Sequence, residues 1–148
     1  MDRTVIISIK GTQSFDEDSP EVIELVTEGT LAECGDEGFA LTYQESKLTG
    51  LEGTLTTFHV EKERITLMRV GEVNSQMVFE PGRRHLSIYD TPFGALSVGI
   101  STYKMSSSLD ENGGDIELSY AIEIDHAIAG ENSFQINVRQ ARPYTLSQ

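Results

Sequence analysis

The most regular feature of the sequence is the alternation of apolar and polar residues in DIELSYAIEID, residues 115–125. A period of two places every apolar side chain on one face of a β-strand and leaves the other face in water. The same period recurs in TVIISIK and NSFQINVRQ. A chain built from such segments has to pack the apolar faces of strands against one another, which predicts an all-β fold rather than a helix-rich one.

The remaining sequence contains seven further strand-like runs: EVIELVTEGTLA, GFALTYQES, GTLTTFHVE, RITLMRV, VNSQMVFE, RRHLSIYD and FGALSVGISTYK. Turn residues separate them, among them Pro81-Gly82 and Asn112-Gly113. About eight to ten short strands with short connections predict an antiparallel meander that forms a barrel or a sandwich. The length of 148 residues suits one core, so we expect a single domain over residues 1–148.

One segment also fits a helix. In SPEVIELVTEG, Ser19 could cap the helix, Pro20 could occupy its first position and Gly29 could end it. The β-branched residues Val22, Ile23, Val26 and Thr27 favour a strand instead, and the run continues without a break. We predict a strand here.

The chain carries a net charge of −13. A surface potential of this sign repels phosphate backbones and anionic lipids, so we expect neither nucleic-acid binding nor membrane binding. The N-terminal residues do not resemble a secretion signal, and no apolar run approaches the roughly 20 residues that span a bilayer. A cytoplasmic location is expected. The single cysteine, Cys34, can form no internal disulfide, and acidic neighbours disfavour its thiolate.

The strands in the middle of the chain have two half-apolar faces. In GTLTTFHV, for example, Thr54, Thr56, Phe58 and Val60 share one side, and Leu55, Thr57 and His59 share the other. Either this wall is covered from outside or polar groups line part of the interior. Under the first alternative a returning segment of the chain or a dimer partner covers the wall. Cover by a partner predicts a homodimer with a filled core, formed through an outer wall around Phe58, Val60, Met68 and Val70.

The segments VTEGTLA, YQESKLTGLEGTLTTF, RVGEVNSQMVFEPGRRH and YDTPFG resemble the YwiB-like family of bacterial proteins. The resemblance extends over nearly the whole chain. It implies an antiparallel meander barrel of the calycin-like, or lipocalin-like, type, and it implies no activity, catalytic residue or cofactor. A barrel of about eight strands is either filled with side chains or holds one small ligand.

Two charged residues are predicted to point into this barrel. Arg69 shares a side with Ile65 and Leu67, and Glu45 shares a side with Leu41 and Tyr43. One interpretation is a site at the barrel mouth for a small amphipathic or anionic ligand, in which Arg69 holds the anion. Its other residues would be Glu45, Tyr43, Ser75, Arg84 and Tyr89. The other interpretation is a structural Arg69–Glu45 pair that closes the barrel end.

The sequence contains no recognisable metal or catalytic motif. His59, His85 and His126 lack the spacing of zinc ligands, and DENGGD lacks the ligands of a calcium loop. Ser75 has no nucleophile motif, and Glu45 is a single inward acid, so an enzyme is the less favoured interpretation. We expect no metal and no cofactor. If Met77 and Phe79 meet Leu118, Tyr120 and Phe134 across the barrel axis, the middle of the barrel holds no cavity.

Overall fold

The computed structural model describes residues 3–14, 20–35, 38–47, 51–72, 74–91, 94–124 and 127–141. Ten strands account for most of them, which confirms the all-β prediction. They are β1 (Arg3–Ser14), β2 (Glu21–Cys34), β3 (Gly38–Gln44), β4 (Thr54–Val60), β5 (Ile65–Gly71), β6 (Ser75–Phe79), β7 (Arg84–Thr91), β8 (Gly94–Ser107), β9 (Gly113–Ile124) and β10 (Ala127–Gln140). No helix in the described part of the chain is long and apolar enough to cross a membrane.

The strands form one antiparallel sheet in the order β6-β5-β4-β3-β2-β1-β10-β9-β8-β7. Strands that are consecutive in the chain pair with each other, with the exception of β6 and β7, and β1 pairs with β10 over residues 5–14 and 131–140. The two ends of this order, β6 and β7, are also consecutive in sequence. Among the described residues no ladder joins them; an isolated bridge between Pro81 and Thr102 lies at this seam. The sheet is therefore a nearly closed barrel.

The inward faces of the strands fill the middle of the barrel. Phe58 and Phe79 are fully buried, and the Phe79 ring lies 4.6 Å from the Tyr120 ring, centroid to centroid. Phe134 contacts both Phe58, at 6.1 Å, and Tyr120, at 6.2 Å. These aromatic residues come from four strands. The large side chains thus meet across the axis, as expected for a filled core.

Two predictions about individual strands have different outcomes. The segment that also fitted a helix is strand throughout its described residues from Glu21. The proposed outer wall is half wrong, because Phe58 and Val60 are buried inside the barrel while Met68 and Val70 are exposed outside it. Phe58 pairs with Leu41 on one side and Leu67 on the other, so three buried residues form one inward row.

The barrel has one long wall and one short wall. The five adjacent strands β2, β1, β10, β9 and β8 contain 12 to 14 residues each. The other five, β3 to β7, contain 5 to 8 residues each. Because β3 is half as long as β2, the long wall extends past the short wall at the end of the barrel where β1 ends and β2 begins. We call this end the mouth.

Candidate functional site

Arg69 and Glu45 lie together inside the barrel near the mouth. The Arg69 Nε atom is 3.8 Å from Glu45 Oε2, which is an ion-pair distance and too long for a hydrogen bond. The Thr56 hydroxyl donates a 2.5 Å hydrogen bond to the same Oε2 atom. Register explains this placement, since Thr56 pairs with Tyr43 on one side and Arg69 on the other. The alternation of strands β3, β4 and β5 thus brings both charges inward, as predicted.

Tyr43 is the third member of this group. Its hydroxyl hydrogen-bonds Glu45, and its side chain is buried. Burial raises the pKa of Tyr43 above its usual value, and the negative charge of Glu45 raises it further, while Arg69 opposes the shift. The tyrosine therefore keeps its proton and donates to the carboxylate, so Glu45 is held by Thr56 and Tyr43 as well as by Arg69.

Several buried polar atoms around this group have no hydrogen-bond partner within the described chain. They are Arg69 Nε, Ser75 Oγ, Thr102 Oγ1 and Asn132 Oδ1. Ser75 pairs directly with Arg69 across β5 and β6. Thr102 and Asn132 flank Tyr120 on its two neighbouring strands, and Asn132 Nδ2 donates to the Tyr120 hydroxyl at 3.4 Å. Buried atoms of this kind mark places where water or a ligand completes the pairing.

A cavity of about 280 Å³ opens at the mouth beside these residues. We call it the mouth pocket. Its polar lining includes Arg69, Glu45, Tyr43 and Asn132, together with Thr12, Gln13 and Ser133. Its apolar lining comes from β1, β2, β10 and the residues before β4, and consists of Ile9, Ile23, Leu25, Leu51 and Phe134. The pocket therefore combines a charged group with an apolar wall.

Two of the predicted site residues, Ser75 and Arg84, do not line the mouth pocket. Arg84 lies on the outer face of the barrel, where its Nε atom donates a 2.7 Å hydrogen bond to Glu123 Oε2. Its guanidinium covers Gly99, since a Cβ atom added there would come within 2.7 Å of Arg84 Nη2. Tyr89 is a residue of β7, but its side chain lies outside the described part of the structure. Sequence analysis in turn missed Tyr120 and Asn132, which lie next to the predicted group.

The other polar motifs do not form a second site. His59 and His85 belong to separate strands, His126 lies outside the described residues, and the described chain contains no cluster of three metal-ligating side chains. Thr54 and Thr56 are buried, while Thr57 faces outward and hydrogen-bonds Thr42. DENGGD is a turn between β8 and β9, in which Asp110 Oδ1 accepts a hydrogen bond from the Asn112 backbone.

A larger depression, about 870 Å³, is on the outside of the long wall. Its charged lining residues include Lys10, Glu24 and Glu117, and none of them is buried. Hydrated charges at a surface gain little free energy from pairing with a charged ligand. The mouth pocket has a buried carboxylate and an underpaired guanidinium, so we place the candidate site there in spite of its smaller size.

The raised pKa of Tyr43 predicts how stability changes in alkali. The unfolded chain releases the Tyr43 hydroxyl proton at about pH 10, whereas the folded chain retains it. The contribution of Tyr43 is therefore unaffected below about pH 10, and stability falls above it by about 1.4 kcal/mol per pH unit. Tyr120, whose pKa burial also raises, adds to this fall. Urea unfolding at increasing pH would measure it. Above about pH 10, the free energy of unfolding of the Tyr43→Phe variant should fall less steeply with pH, by the equivalent of one proton. An unchanged slope would contradict the raised pKa of Tyr43.

Comparison with known proteins supports the fold. A family model described as "Domain of unknown function (DUF1934)" matches residues 7–136. The chain is 28% identical over 109 residues to the uncharacterized β-barrel protein YwiB of Bacillus subtilis, covering 74% of this chain and 75% of that protein. The crystal structure of the YwiB protein from the same organism superposes with a TM-score of 0.83 at 24% identity, over 95% of this chain and 94% of the other. At this identity the structural likeness concerns the fold alone.

Proposed function

The chain belongs to the DUF1934 family, whose description names no activity, and from that premise we propose that the barrel binds a small amphipathic or anionic ligand in the mouth pocket without catalysing a reaction. The proposal rests on the geometry of the pocket. Membership of the family supports the fold and identifies no ligand.

One observation carries the proposal: the two members of the buried ion pair differ in their access to the pocket. The Glu45 side chain is 1% exposed, whereas 15% of the Arg69 side chain is accessible. Thr56 and Tyr43 both donate to Glu45. The Glu45 carboxylate thus already accepts hydrogen bonds from two protein side chains, and Arg69 is the member of the pair that a ligand can reach.

The chemistry of the lining defines the class of ligand. A guanidinium offers a planar fork of N–H donors that matches a carboxylate or a phosphate. The apolar wall formed by Ile9, Leu25 and Phe134 would cover a short hydrocarbon. A volume of about 280 Å³ lies just below the usual range for ligand pockets, roughly 300–1,000 Å³, so the ligand is small. A medium-chain carboxylate satisfies all three conditions.

The same residues argue against catalysis. Acid–base chemistry needs a second titrating group with a pKa distinct from that of the first. Glu45 is the only buried charged residue among those the structure describes, and it is committed to hydrogen bonds from Thr56 and Tyr43. These interactions favour a fixed role for the carboxylate, which is to hold Arg69 in place.

Isothermal titration with octanoate tests the proposal. Wild-type protein should bind octanoate, and it should bind octanol, the neutral analogue of similar length, more weakly. Arg69→Gln should weaken octanoate binding by about ten- to a hundredfold, because it removes charge-assisted hydrogen bonds. Arg64→Gln is the matched control: Arg64 is exposed, pairs with Glu61, and lies between β4 and β5 at the far end of the barrel.

Equal affinity for octanoate and octanol would contradict a role of Arg69 in binding the anion. This comparison uses wild-type protein alone, so it does not depend on whether a variant folds. Loss of binding in Arg64→Gln would show a nonspecific effect of charge. The homodimer stays a prediction, now reduced to Met68 and Val70 of the predicted wall, since Phe58 and Val60 are internal; the exposed Leu55, which pairs with Val70, extends this patch. Light scattering of the same samples would detect a dimer.

A further inference from the structure

Within the part of the chain that the structure describes, the first half of β2 has an unpaired edge. β2 pairs with β1 from Glu21 to Leu31, but with β3 only from Gly29 to Cys34. On the side opposite β1, no described strand pairs with residues 21–28. This edge, which we call the β2 edge, exists because β3 is too short to follow β2 to the mouth.

The two faces of the β2 edge have different character. Val22 and Val26 point outward and are 52% and 65% exposed. Glu24 and Glu28 alternate with them on the same face. On the inner face, Ile23 and Leu25 line the mouth pocket. An exposed, partly apolar strand edge is a template on which another extended segment can form a ladder.

The charges on this edge decide which occupant fits. Residues 21–28 contain three Glu and no Lys or Arg, and residues 1–37 contain ten acidic residues against two basic ones. Antiparallel pairing of two copies keeps residues of one face opposite each other, so it brings Glu24 and Glu28 of both copies onto one face. Two of the possible registers would place Glu24 opposite itself or opposite Glu28. Like charges directly opposite each other destabilise a ladder. A second copy of this chain is therefore disfavoured, and a basic partner is favoured.

We propose that the β2 edge binds an extended, basic segment of another protein by β-strand addition. The outward face of β2 reads Val22, Glu24, Val26, Glu28, so the complementary strand carries apolar and basic residues alternately at every second position. The backbone ladder supplies affinity, and the alternation of Lys with Val on one face supplies specificity. This binding mode is independent of the ligand proposed for the mouth pocket.

Fluorescence anisotropy with the labelled peptide KTVTKTVT tests the proposal. This peptide should bind, and the charge-reversed peptide ETVTETVT should bind at least about tenfold more weakly. The Glu24→Gln/Glu28→Gln variant should weaken binding of the basic peptide by about three- to tenfold at low salt. Glu61→Gln/Glu63→Gln, between β4 and β5 at the far end of the barrel, is the matched control and should leave affinity unchanged.

Two analogues of the basic peptide, each N-methylated on alternate amides, identify the mode of binding. Only one set of amides of an added strand faces β2, so one analogue should lose binding and the other should keep it. Hydrogen exchange should then slow within residues 21–28. Failure of the basic peptide to bind, equal affinity for the acidic peptide, or equal effects of the two methylation patterns would each overturn the proposal.

Discussion

Replacing Phe79 by alanine is expected to lower the free energy of unfolding by about 3–5 kcal/mol. Phe79 is fully buried and packs against the Tyr120 ring at 4.6 Å. Its removal deletes apolar contact area and leaves a cavity that the neighbouring strands β5 and β9 cannot fill by moving, because ladders on both sides hold these two strands in register. Urea unfolding monitored by circular dichroism measures the change.

The matched control for this prediction is Leu86→Ala. Leu86 lies on β7 and is 67% exposed, so its truncation should change stability by no more than about 0.5 kcal/mol. A loss below about 1 kcal/mol in Phe79→Ala, well under the usual range for buried aromatics, would mean that the middle of the barrel is loosely packed. The interior could then hold a larger ligand than the mouth pocket admits.

Glu45→Ala is expected to destabilise the protein by about 3 kcal/mol or more, because it leaves the Arg69 guanidinium largely buried without its anionic partner. It also removes the acceptor of the Thr56 and Tyr43 hydroxyls. Urea midpoints measure the loss. Glu61→Ala provides the comparison, since Glu61 forms an exposed pair with Arg64 and should lose no more than about 1 kcal/mol.

A double variant separates the two interpretations of the pair. Glu45→Leu/Arg69→Met replaces both charges by apolar side chains of similar size. It should recover the part of the Glu45→Ala loss that comes from the unpaired guanidinium, while the Thr56 and Tyr43 hydroxyls still lack their acceptor. The recovered protein should still fail to bind octanoate, because it lacks the Arg69 guanidinium. If it bound octanoate as the wild type does, Arg69 would be purely structural and the ligand would lie elsewhere.

Alternation in the sequence was sufficient to predict the strands and the inward positions of Arg69 and Glu45. A period of two separates the sides of a strand, and it identifies the inner one only when the sides differ clearly in polarity. Phe58 and Val60 show where this fails. Their side includes Thr54 and Thr56, the opposite side includes Leu55, and only pairing with Leu41 and Leu67 reveals which is buried.

Contacts between residues distant in the chain could not be predicted. In the sequence, Arg84 is adjacent to Arg83 and fifteen residues from Arg69, which suggested one group of arginines at the mouth. Its ion-pair partner is instead Glu123 on the outer face. Tyr120 belongs to the most regular strand and therefore looked like ordinary core. Its flanking residues Thr102 and Asn132 depend on the registers of β8 and β10 with β9, and both registers include irregularities that no local pattern indicates.

Nuclear magnetic resonance of the Arg69 Nε–H group during titration with octanoate tests most directly whether the mouth pocket receives an anion at Arg69. The Arg69→Lys variant assigns the signal by its disappearance. We expect the signal to shift together with the backbone amides of Gly11–Gln13 and Asn132–Phe134, all reaching saturation at the same octanoate concentration. Octanoate binding that leaves these signals in place while the Nε–H signal of Arg84 moves would contradict the account.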